Sequence, residues 1–398
     1  MVGTTFPKGF VWGTATAAHQ VEGGNWNCDW WDWEHRPGTP CVEPSLDACD
    51  HFHRYPDDIA TIGRLGLGSY RFGVEWARVE PEEGHFSKSA LDHYRRMVAT
   101  CHEHGVAPVV TLHHFTTPRW VAAAGGWAEP DTAIRFERYV DRVAAHLGDD
   151  VSAWCTINEP NMVSTIGYLV GQFPPGVRDQ SLRNRVNDVF VDAHLRAVGA
   201  VRANSTRPVG ITLAMQEMVA VADDDEGRSA AQKRVERALA GLETPFLEAA
   251  RGDDFIGVQT YTRERFGPTG RLPGEEGVPL TMMGYEFWPE ALGSCIRRAW
   301  DTTGGVPILV TENGISTDHD PDRIEYVRRA LHGVLECIAD GIDVRGYTYW
   351  SLLDNFEWAY GYRPTFGLIA VDRTTMERTV KPSAEWLGRV ARANGLVD

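Results

Sequence analysis

Eight extended segments alternate with helical segments along this chain, and this alternation restricts the fold more than any other feature of the sequence. Apolar and β-branched runs predict strands at 10–18, 69–76, 107–113, 151–157, 208–213, 255–261, 307–311 and 344–350. Helical periodicity is clearest at 87–104, which begins at Ser87 and ends before Gly105, and at 321–340. Repeated β-then-α units without a Gly/Ser-rich linker predict an α/β protein with a single (β/α)₈ TIM barrel over residues 1–398. A doubly wound open sheet is the alternative, but no G-x-G-x-x-G turn follows the first strand.

In a barrel of this kind, the chemistry lies on the loops that follow the strands. The longest of these loops, which we expect to line the site, are 21–50, 159–185, 262–285 and 351–380. Aromatic residues are concentrated in the first and last of them, at Trp26, Trp30, Trp31, Trp33, Phe356, Trp358, Tyr360, Tyr362 and Phe366. Such rings suit the apolar faces of sugars, and they suit equally well the packing of a loop against a barrel. The acidic segment 222–227 is interpreted as a solvated turn.

Two short segments each supply a glutamate where a predicted strand gives way to turn residues. They are Thr156-Ile157-Asn158-Glu159-Pro160 and Val310-Thr311-Glu312-Asn313-Gly314. A single glutamate beside Asn, Pro or Gly is most often a solvated turn residue, so either segment alone is weak evidence. Two carboxylates at the same end of one barrel, however, are the acid and the nucleophile that a glycosidase needs.

Composition excludes several other classes of function. The chain has 39 Lys and Arg against 55 Asp and Glu, a net charge of −16, so nucleic acids and anionic membranes are not expected partners. The seven cysteines include no C-x-x-C pair, which predicts neither a disulfide framework nor a metal site, and no cofactor is expected. Cys101 and Cys337 lie on apolar helical faces and are predicted to be buried. The sequence shows no signal-peptide pattern and no membrane span, so a cytoplasmic protein is expected.

The strand-end motifs together carry a family resemblance. The chain resembles the family 1 glycoside hydrolases, the β-glucosidase group, from Phe6 to about Pro382. Five motifs in the family's order carry it, namely Phe6 to Gln20, Tyr70-Arg71-Phe72, Thr156 to Pro160, Thr311 to Gly314, and Trp350 to Trp358. The resemblance implies a (β/α)₈ barrel that hydrolyses small β-glycosides or short oligosaccharides with retention of anomeric configuration.

The same resemblance assigns roles to four residues at the reaction centre. Glu159 corresponds to the general acid/base and Glu312 to the nucleophile. Arg71 corresponds to an arginine that keeps the nucleophile ionised, and Tyr261 to a tyrosine that orients it. If the two carboxyl groups are about 5 Å apart, the charge on the nucleophile keeps its neighbour protonated until the glycosyl ester forms.

A second set of residues is expected to bind the substrate. In the family pattern Asn158 contacts the sugar 2-hydroxyl, and Glu357 contacts outer hydroxyls. A carboxylate at position 357 also disfavours a sugar 6-phosphate. Of the adjacent histidines, only His114 is expected to face the site, because successive strand residues point in opposite directions, and His113 is interpreted as a core residue. The full set of expected substrate contacts is Gln20, His114, Asn158, Tyr285, Trp350, Glu357, Trp358 and Phe366.

Three positions depart from the family pattern. Phe115 replaces the usual Trp after the motif histidine, Gln259 replaces an Asn, and Tyr285 replaces an aglycone-stacking Trp. These changes affect sugar and aglycone preference and leave the reaction type intact. We expect a β-glucosidase with some activity on galactosides or fucosides, and the alternatives are a transglycosidase with the same glutamate pair and a carbohydrate-binding pseudoenzyme. A pseudoenzyme would not need both glutamates, Arg71 and Tyr261.

Overall fold

The computed structural model describes residues 3–397 and contains a closed barrel of eight parallel strands, which confirms the predicted fold. The strands are Val11–Ala15, Ser69–Gly73, Ala107–Thr111, Ala153–Asn158, Val209–Ala214, Ile256–Gln259, Ile308–Asn313 and Val344–Trp350. Each barrel strand pairs with its neighbours in the sequence, and the barrel closes where Val11 pairs with Gly346 of the eighth strand. All eight carboxyl ends therefore meet at one mouth.

Helices surround the barrel, and both helices singled out from the sequence are present. The α-helices are Ala18–Val21, Asp29–His35, His51–Leu65, Trp76–Val79, Lys88–Glu103, Arg119–Ala123, Asp131–Leu147, Pro160–Thr165, Gln180–Asn204, Asp225–Leu242, Thr244–Ala249, Ala291–Thr303, Asp320–Ala339 and Pro382–Ala393. The Ser87 hydroxyl accepts a hydrogen bond from the backbone N–H of Ala90 at 3.2 Å and so caps the helix Lys88–Glu103. Val327, Leu331 and Val334 on the helix Asp320–Ala339 are buried, as their spacing predicts.

One expectation about a loop needs correction. The acidic segment 222–227 is not only a turn, because its last three residues begin the helix Asp225–Leu242. The Asp224 carboxylate accepts a hydrogen bond from the N–H of Gly227 at 2.7 Å. Aspartate favours turns and helix N-termini for the same reason, since its side chain bonds to backbone N–H groups, and negative charge is stabilised at the start of a helix.

The loops after the fifth, sixth and eighth strands carry small sheets of their own. Glu217–Ala220 pairs in parallel with Arg263–Phe266, and Ile369–Val371 pairs in antiparallel with Arg378–Val380. These pairings satisfy backbone hydrogen bonds outside the barrel. They therefore hold long segments in fixed positions around the mouth.

All seven cysteines are free thiols, and Cys101 and Cys337 are buried as predicted. Burial raises the pKa of the Cys101 thiol to about 12, so this group stays protonated.

Among residues 3–397, no helix combines the length and the apolar character that a membrane crossing requires.

The interior of the barrel is tightly packed at Gly257 in the sixth strand. A Cβ there would lie 2.5 Å from Cγ2 of Thr212 and 2.7 Å from Oγ1 of Thr311. We expect Gly257→Ala to lower the free energy of unfolding by about 1–3 kcal/mol, because the added methyl overpacks the interior. The measurement is urea denaturation. The matched control is Gly199→Ala in the helix Gln180–Asn204, where the added Cβ would meet no described atom within 4 Å other than its chain neighbours and the backbone of its own helix.

The control should raise the free energy of unfolding by about 0.5–1 kcal/mol, because alanine loses less backbone entropy in a helix than glycine does. If both variants changed stability in the same direction, close packing around Gly257 would not be the cause.

Candidate active site

A cavity of about 380 Å³ opens at the mouth of the barrel, and all four of the long loops contribute to its lining. Val42, Phe173, Tyr285 and Phe366 each come from a different one of these loops. Ten of the residues expected at the site line the cavity, namely Gln20, His114, Glu159, Tyr261, Tyr285, Glu312, Trp350, Glu357, Trp358 and Phe366. In the described part of the chain, no group of three or more His, Cys, Asp or Glu side chains is arranged to hold a metal ion.

Glu159 follows the fourth strand at a sharp change of chain direction. Its backbone adopts the left-handed conformation, with φ 45° and ψ 55°, and Pro160 begins a helix immediately after it. This conformation is costly for a residue other than glycine and is found preferentially at functional sites. The N–H of Glu159 donates to the carbonyl of Thr212 at 2.9 Å, which fixes the turn to the fifth strand. The side chain is thereby directed into the cavity.

Within residues 3–397 the Glu159 carboxyl group has one polar contact, and this contact was not predicted from the sequence. Nε2 of Gln259 donates to its Oε1 at 2.7 Å, while Oε1 of Gln259 accepts from the Thr311 hydroxyl at 3.0 Å. The two bonds hold the amide of Gln259 between Glu159 and Thr311. Burial, with a further contribution from the charge of Glu312, raises the pKa of Glu159 to about 8.

Glu312 lies in the seventh strand and has a different environment. Arg71 donates from Nη2 to one carboxylate oxygen, and the Tyr261 hydroxyl donates to the other. The carbonyl of Tyr261 accepts from the Tyr326 hydroxyl at 2.7 Å, which holds the tyrosine in place. Burial raises the pKa of Glu312, and the contacts from Arg71 and Tyr261 oppose that rise. Because a cation contacts Glu312 and, among residues 3–397, only an amide contacts Glu159, these contacts favour the charge on Glu312 and the proton on Glu159.

Arg71 and Asn158 are fully buried and link the lining residues to the barrel strands. Nη1 of Arg71 donates to Oδ1 of Asn158 and to the Thr111 hydroxyl, both at 3.1 Å. Nδ2 of Asn158 bonds to Nε2 of His114 at 3.1 Å. Burial and the charge of Arg71 lower the pKa of His114 well below its usual range, so this ring is neutral. Nε2 of His114 is then the acceptor, and its Nδ1–H has no partner among the described residues and can donate to a ligand.

His113 points the opposite way, as predicted. Its ring packs edge-on against Trp127 at a centroid distance of 5.0 Å and lies near Phe190. Burial lowers the pKa of His113 to about 3. His113 is therefore a neutral core residue, and only His114 lines the cavity.

Gln20 and Glu357 lie together at one part of the cavity. Nε2 of Gln20 donates to the carbonyl of Phe356 at 2.8 Å and to Oε2 of Glu357 at 3.4 Å, whereas Oε1 of Gln20 is buried and has no partner in residues 3–397. Burial and the charge of Glu312 raise the pKa of Glu357 to about 8. This corner thus offers a free amide acceptor and a carboxylic acid, which together match the hydroxyl groups of a sugar.

The two aromatic loops differ in their contribution. None of the four tryptophans of the 21–50 loop lines this cavity within the described structure, whereas Trp358, Tyr360 and Phe366 of the last loop do. Trp30 packs against Trp358 at a centroid distance of 4.6 Å, and the ring of His19 stacks on Trp358 at 5.6 Å. The first loop therefore supports an aromatic wall that the last loop provides.

Comparisons with known proteins identify the family of this chain. The family model described as glycosyl hydrolase family 1 matches residues 2–265 and 257–396. Beta-glucosidase A of Acetivibrio thermocellus is 33% identical, with 98% of this chain and 99% of that protein covered. The bifunctional beta-D-glucosidase/beta-D-fucosidase of Bifidobacterium breve is also 33% identical, with 96% and 97% covered.

Among solved structures, the crystal structure of beta-glycosidase BGL167 is 46% identical to this chain, with a TM-score of 0.91 and with 99% of this chain and 98% of that chain covered. Family model, relatives and structure all span nearly the whole sequence. The resemblance seen in the motifs therefore extends over the entire barrel, and the chain belongs to glycosyl hydrolase family 1.

Proposed function

We propose that this protein is an exo-acting β-glycosidase that retains anomeric configuration and acts mainly on unphosphorylated β-glucosides. The observation that carries the proposal is the contrast between two buried carboxyl groups in one cavity. Glu312 is held by Arg71 and Tyr261, whereas the polar contact of Glu159 in the described structure is the amide of Gln259 alone. One group is suited to attack and the other to donate a proton.

In the first half-reaction, a carboxylate oxygen of Glu312 forms a bond to the anomeric carbon as the bond to the leaving oxygen breaks. Glu159 donates its proton to that oxygen, and a glycosyl ester and a free aglycone result. Formation of the ester removes the charge of Glu312, which had helped to raise the pKa of Glu159. The pKa of Glu159 therefore falls and Glu159 stays ionised. It can then accept a proton from the water that attacks the ester.

Sugar preference follows from the corner formed by Gln20 and Glu357. The free Oε1 of Gln20 and the Glu357 carboxyl group offer hydrogen bonds to the outer hydroxyls of the sugar. A 6-phosphate would enter a buried site that already contains the negative charge of Glu312, so unphosphorylated sugars are favoured. Relatives named as β-glucosidases, and one named as a bifunctional β-D-glucosidase/β-D-fucosidase, support a glucoside preference with some tolerance for fucosides.

Transglycosylation is a second candidate, and the apolar part of the cavity favours it. Val42, Met162, Ile166, Phe173 and Met283 line that part. Apolar side chains of this kind bind an organic alcohol and compete with water for the glycosyl ester. Product analysis with an added alcohol acceptor separates the two activities, because hydrolysis releases free sugar and transglycosylation gives an alkyl glycoside.

Replacing the proposed nucleophile tests the reaction directly. We expect Glu312→Gly to lower kcat on the order of 10⁴-fold or more, because no carboxylate remains to form the glycosyl ester. Azide should restore turnover on an aryl β-glucoside with a good leaving group, and proton NMR should identify the product as the α-glycosyl azide. A β-glycosyl azide would falsify Glu312 as the nucleophile.

Replacing the proposed acid/base should give a result that depends on the leaving group. With Glu159→Ala, substrates with poor leaving groups should lose about 10²–10⁴-fold in kcat/KM, since their oxygen needs a proton to depart. Substrates with acidic phenol leaving groups should keep most of the rate of the first step. Pre-steady-state release of phenol from a series of aryl β-glucosides is the measurement. An equal loss across the series would contradict the assignment.

The pH dependence should report the proton on Glu159. Its pKa of about 8 means that the required protonated form is lost as the pH rises through that value, so kcat/KM should fall on the alkaline side. Gln259→Leu removes an N–H donor that stabilises ionised Glu159, which raises its pKa and should move the alkaline fall to higher pH. Gln259→Asn is the conservative control. An unchanged alkaline limb in Gln259→Leu would show that Gln259 does not tune Glu159.

A further inference from the structure

Arg183 is buried without an acidic partner. Its side chain belongs to the helix Gln180–Asn204, and the residue is 7% exposed. The other two buried arginines, Arg71 and Arg323, pair with Glu312 and Asp320. No Asp or Glu of residues 3–397 forms an ion pair with Arg183, and burial alone lowers its pKa. A buried guanidinium without a counter-charge costs folding free energy, which suggests that something outside the chain supplies the negative charge.

Two neighbouring polar groups at this place each have an unused atom. Nη1 of Arg183 and Nδ2 of Asn187 both donate to the carbonyl of Gly241, at 2.7 and 3.0 Å. Nε of Arg183 is a buried donor and Oδ1 of Asn187 a buried acceptor, and neither has a hydrogen-bond partner within the described residues. The two residues are four positions apart on one helix and so share a face. Both atoms are shielded from solvent, so a ligand does not reach them. Nη2 of Arg183 makes no hydrogen bond within the described residues and is not shielded, so it is the atom that can bond to an oxyanion.

Arg183 and Asn187 line a cleft of about 770 Å³ on the outside of the barrel. The cleft is formed by the helices Gln180–Asn204 and Asp225–Leu242 and by the segment 266–271, and it shares no lining residue with the active-site cavity. The residues that give it positive charge in a chain of net charge −16 are Arg183, Arg234, Arg237 and Arg271. Arg271 is paired with Glu264, and Asp188 is the one acidic residue of the lining.

We propose that this cleft binds a hydroxylated organic oxyanion, a sugar phosphate or a sugar acid, with Arg183 as the main contact. Nη2 of Arg183 is free to donate to an oxyanion, and such charge-assisted bonds are the strong ones. Gln180 and Asn184 are exposed polar residues of the lining that can bond to ligand hydroxyls, and Phe266 and Pro245 supply apolar surface. The volume of the cleft matches that of small-molecule sites.

The proposal is tested by the shift in Tm and by titration calorimetry with the full chain. Glucose 6-phosphate and glucuronate are the two anionic probes, and glucose is the neutral control. We expect one or both anions to raise Tm. Glucose added together with the anion should leave the rise in Tm that the anion causes unchanged. The stronger anion identifies the ligand as a phosphate or a carboxylate. No binding of either at concentrations up to about 10 mM would overturn the proposal.

Variants locate the binding. Arg183→Met should weaken anion binding by at least about tenfold, because the charged donor is lost. Hydrolysis of an aryl β-glucoside should be unchanged, which shows that the variant is folded. The matched control is Arg185→Met, an exposed arginine of the same helix that does not line the cleft and should bind the anion like the wild type. Anion binding that persists in Arg183→Met would place the anion elsewhere and overturn the proposal.

Stability without ligand distinguishes a binding role from a structural one. Arg183→Met should be at least as stable as the wild type, because methionine fills the space without burying a charge. If instead Arg183→Met fails to fold, Arg237→Gln keeps the proposal testable, since Arg237 is exposed and lines the same cleft. This variant should weaken anion binding about threefold. Unchanged binding in Arg237→Gln, together with an unfolded Arg183→Met, would contradict the proposed site.

Discussion

The buried contact between Arg71 and Glu312 is the interaction on which the arrangement of the site depends. Arg71 lies in the second barrel strand and Glu312 in the seventh, so the pair crosses the inside of the barrel. A buried ion pair is favourable when most of its other polar atoms are also bonded, and of the Arg71 nitrogens only Nε has no partner within the described residues. Thr111 and Asn158 accept from Arg71, and Tyr261 donates to Glu312, so strands two, three, four and seven are joined through one charge pair.

That pair also explains how two chemically identical side chains acquire different properties. Both Glu159 and Glu312 are buried, and burial alone would raise the pKa of each. Of the two glutamates, Glu312 is the one that a guanidinium and a phenol contact, so the negative charge is stabilised there. That charge disfavours a second charge on Glu159. The difference between the two carboxyl groups thus depends on where Arg71 and Tyr261 lie, and not on any property of the glutamates themselves.

The barrel could be predicted because its signals are local. Each strand is a short apolar run followed by turn residues, and the predicted strands overlap all eight observed ones, for example 344–350 and Val344–Trp350. Helix starts were clear where a capping residue preceded an apolar stripe, as at Ser87. The segment 222–227 was interpreted incorrectly as a turn because aspartate serves turns and helix N-termini equally well, and the helix after it has only two buried residues, Ala231 and Val235.

The site was predictable only in part, for a related reason. Residues at strand ends reach the barrel mouth whatever the loops do, so Glu159, Glu312 and Tyr261 could be placed together from the order of their motifs. The bond from Gln259 to Glu159 joins residues 100 positions apart, although Gln259 ends a strand and lies two residues before Tyr261. Strand alternation thus contained a signal for Gln259, which sequence reasoning recorded only as a departure from the family pattern.

Loop aromatics and buried charges required the folded chain, because their surroundings come from distant segments. Trp30 and Trp358 are both loop tryptophans that the sequence does not distinguish. In the structure Trp358 lines the cavity, and Trp30 packs against Trp358 without lining it. Arg71 and Arg183 are likewise both buried arginines, and only the packing of other strands and helices determines that one meets a carboxylate and the other a carbonyl and a cleft. In the first case the protein supplies the counter-charge itself. In the second case the same requirement for a counter-charge is the basis for proposing a ligand.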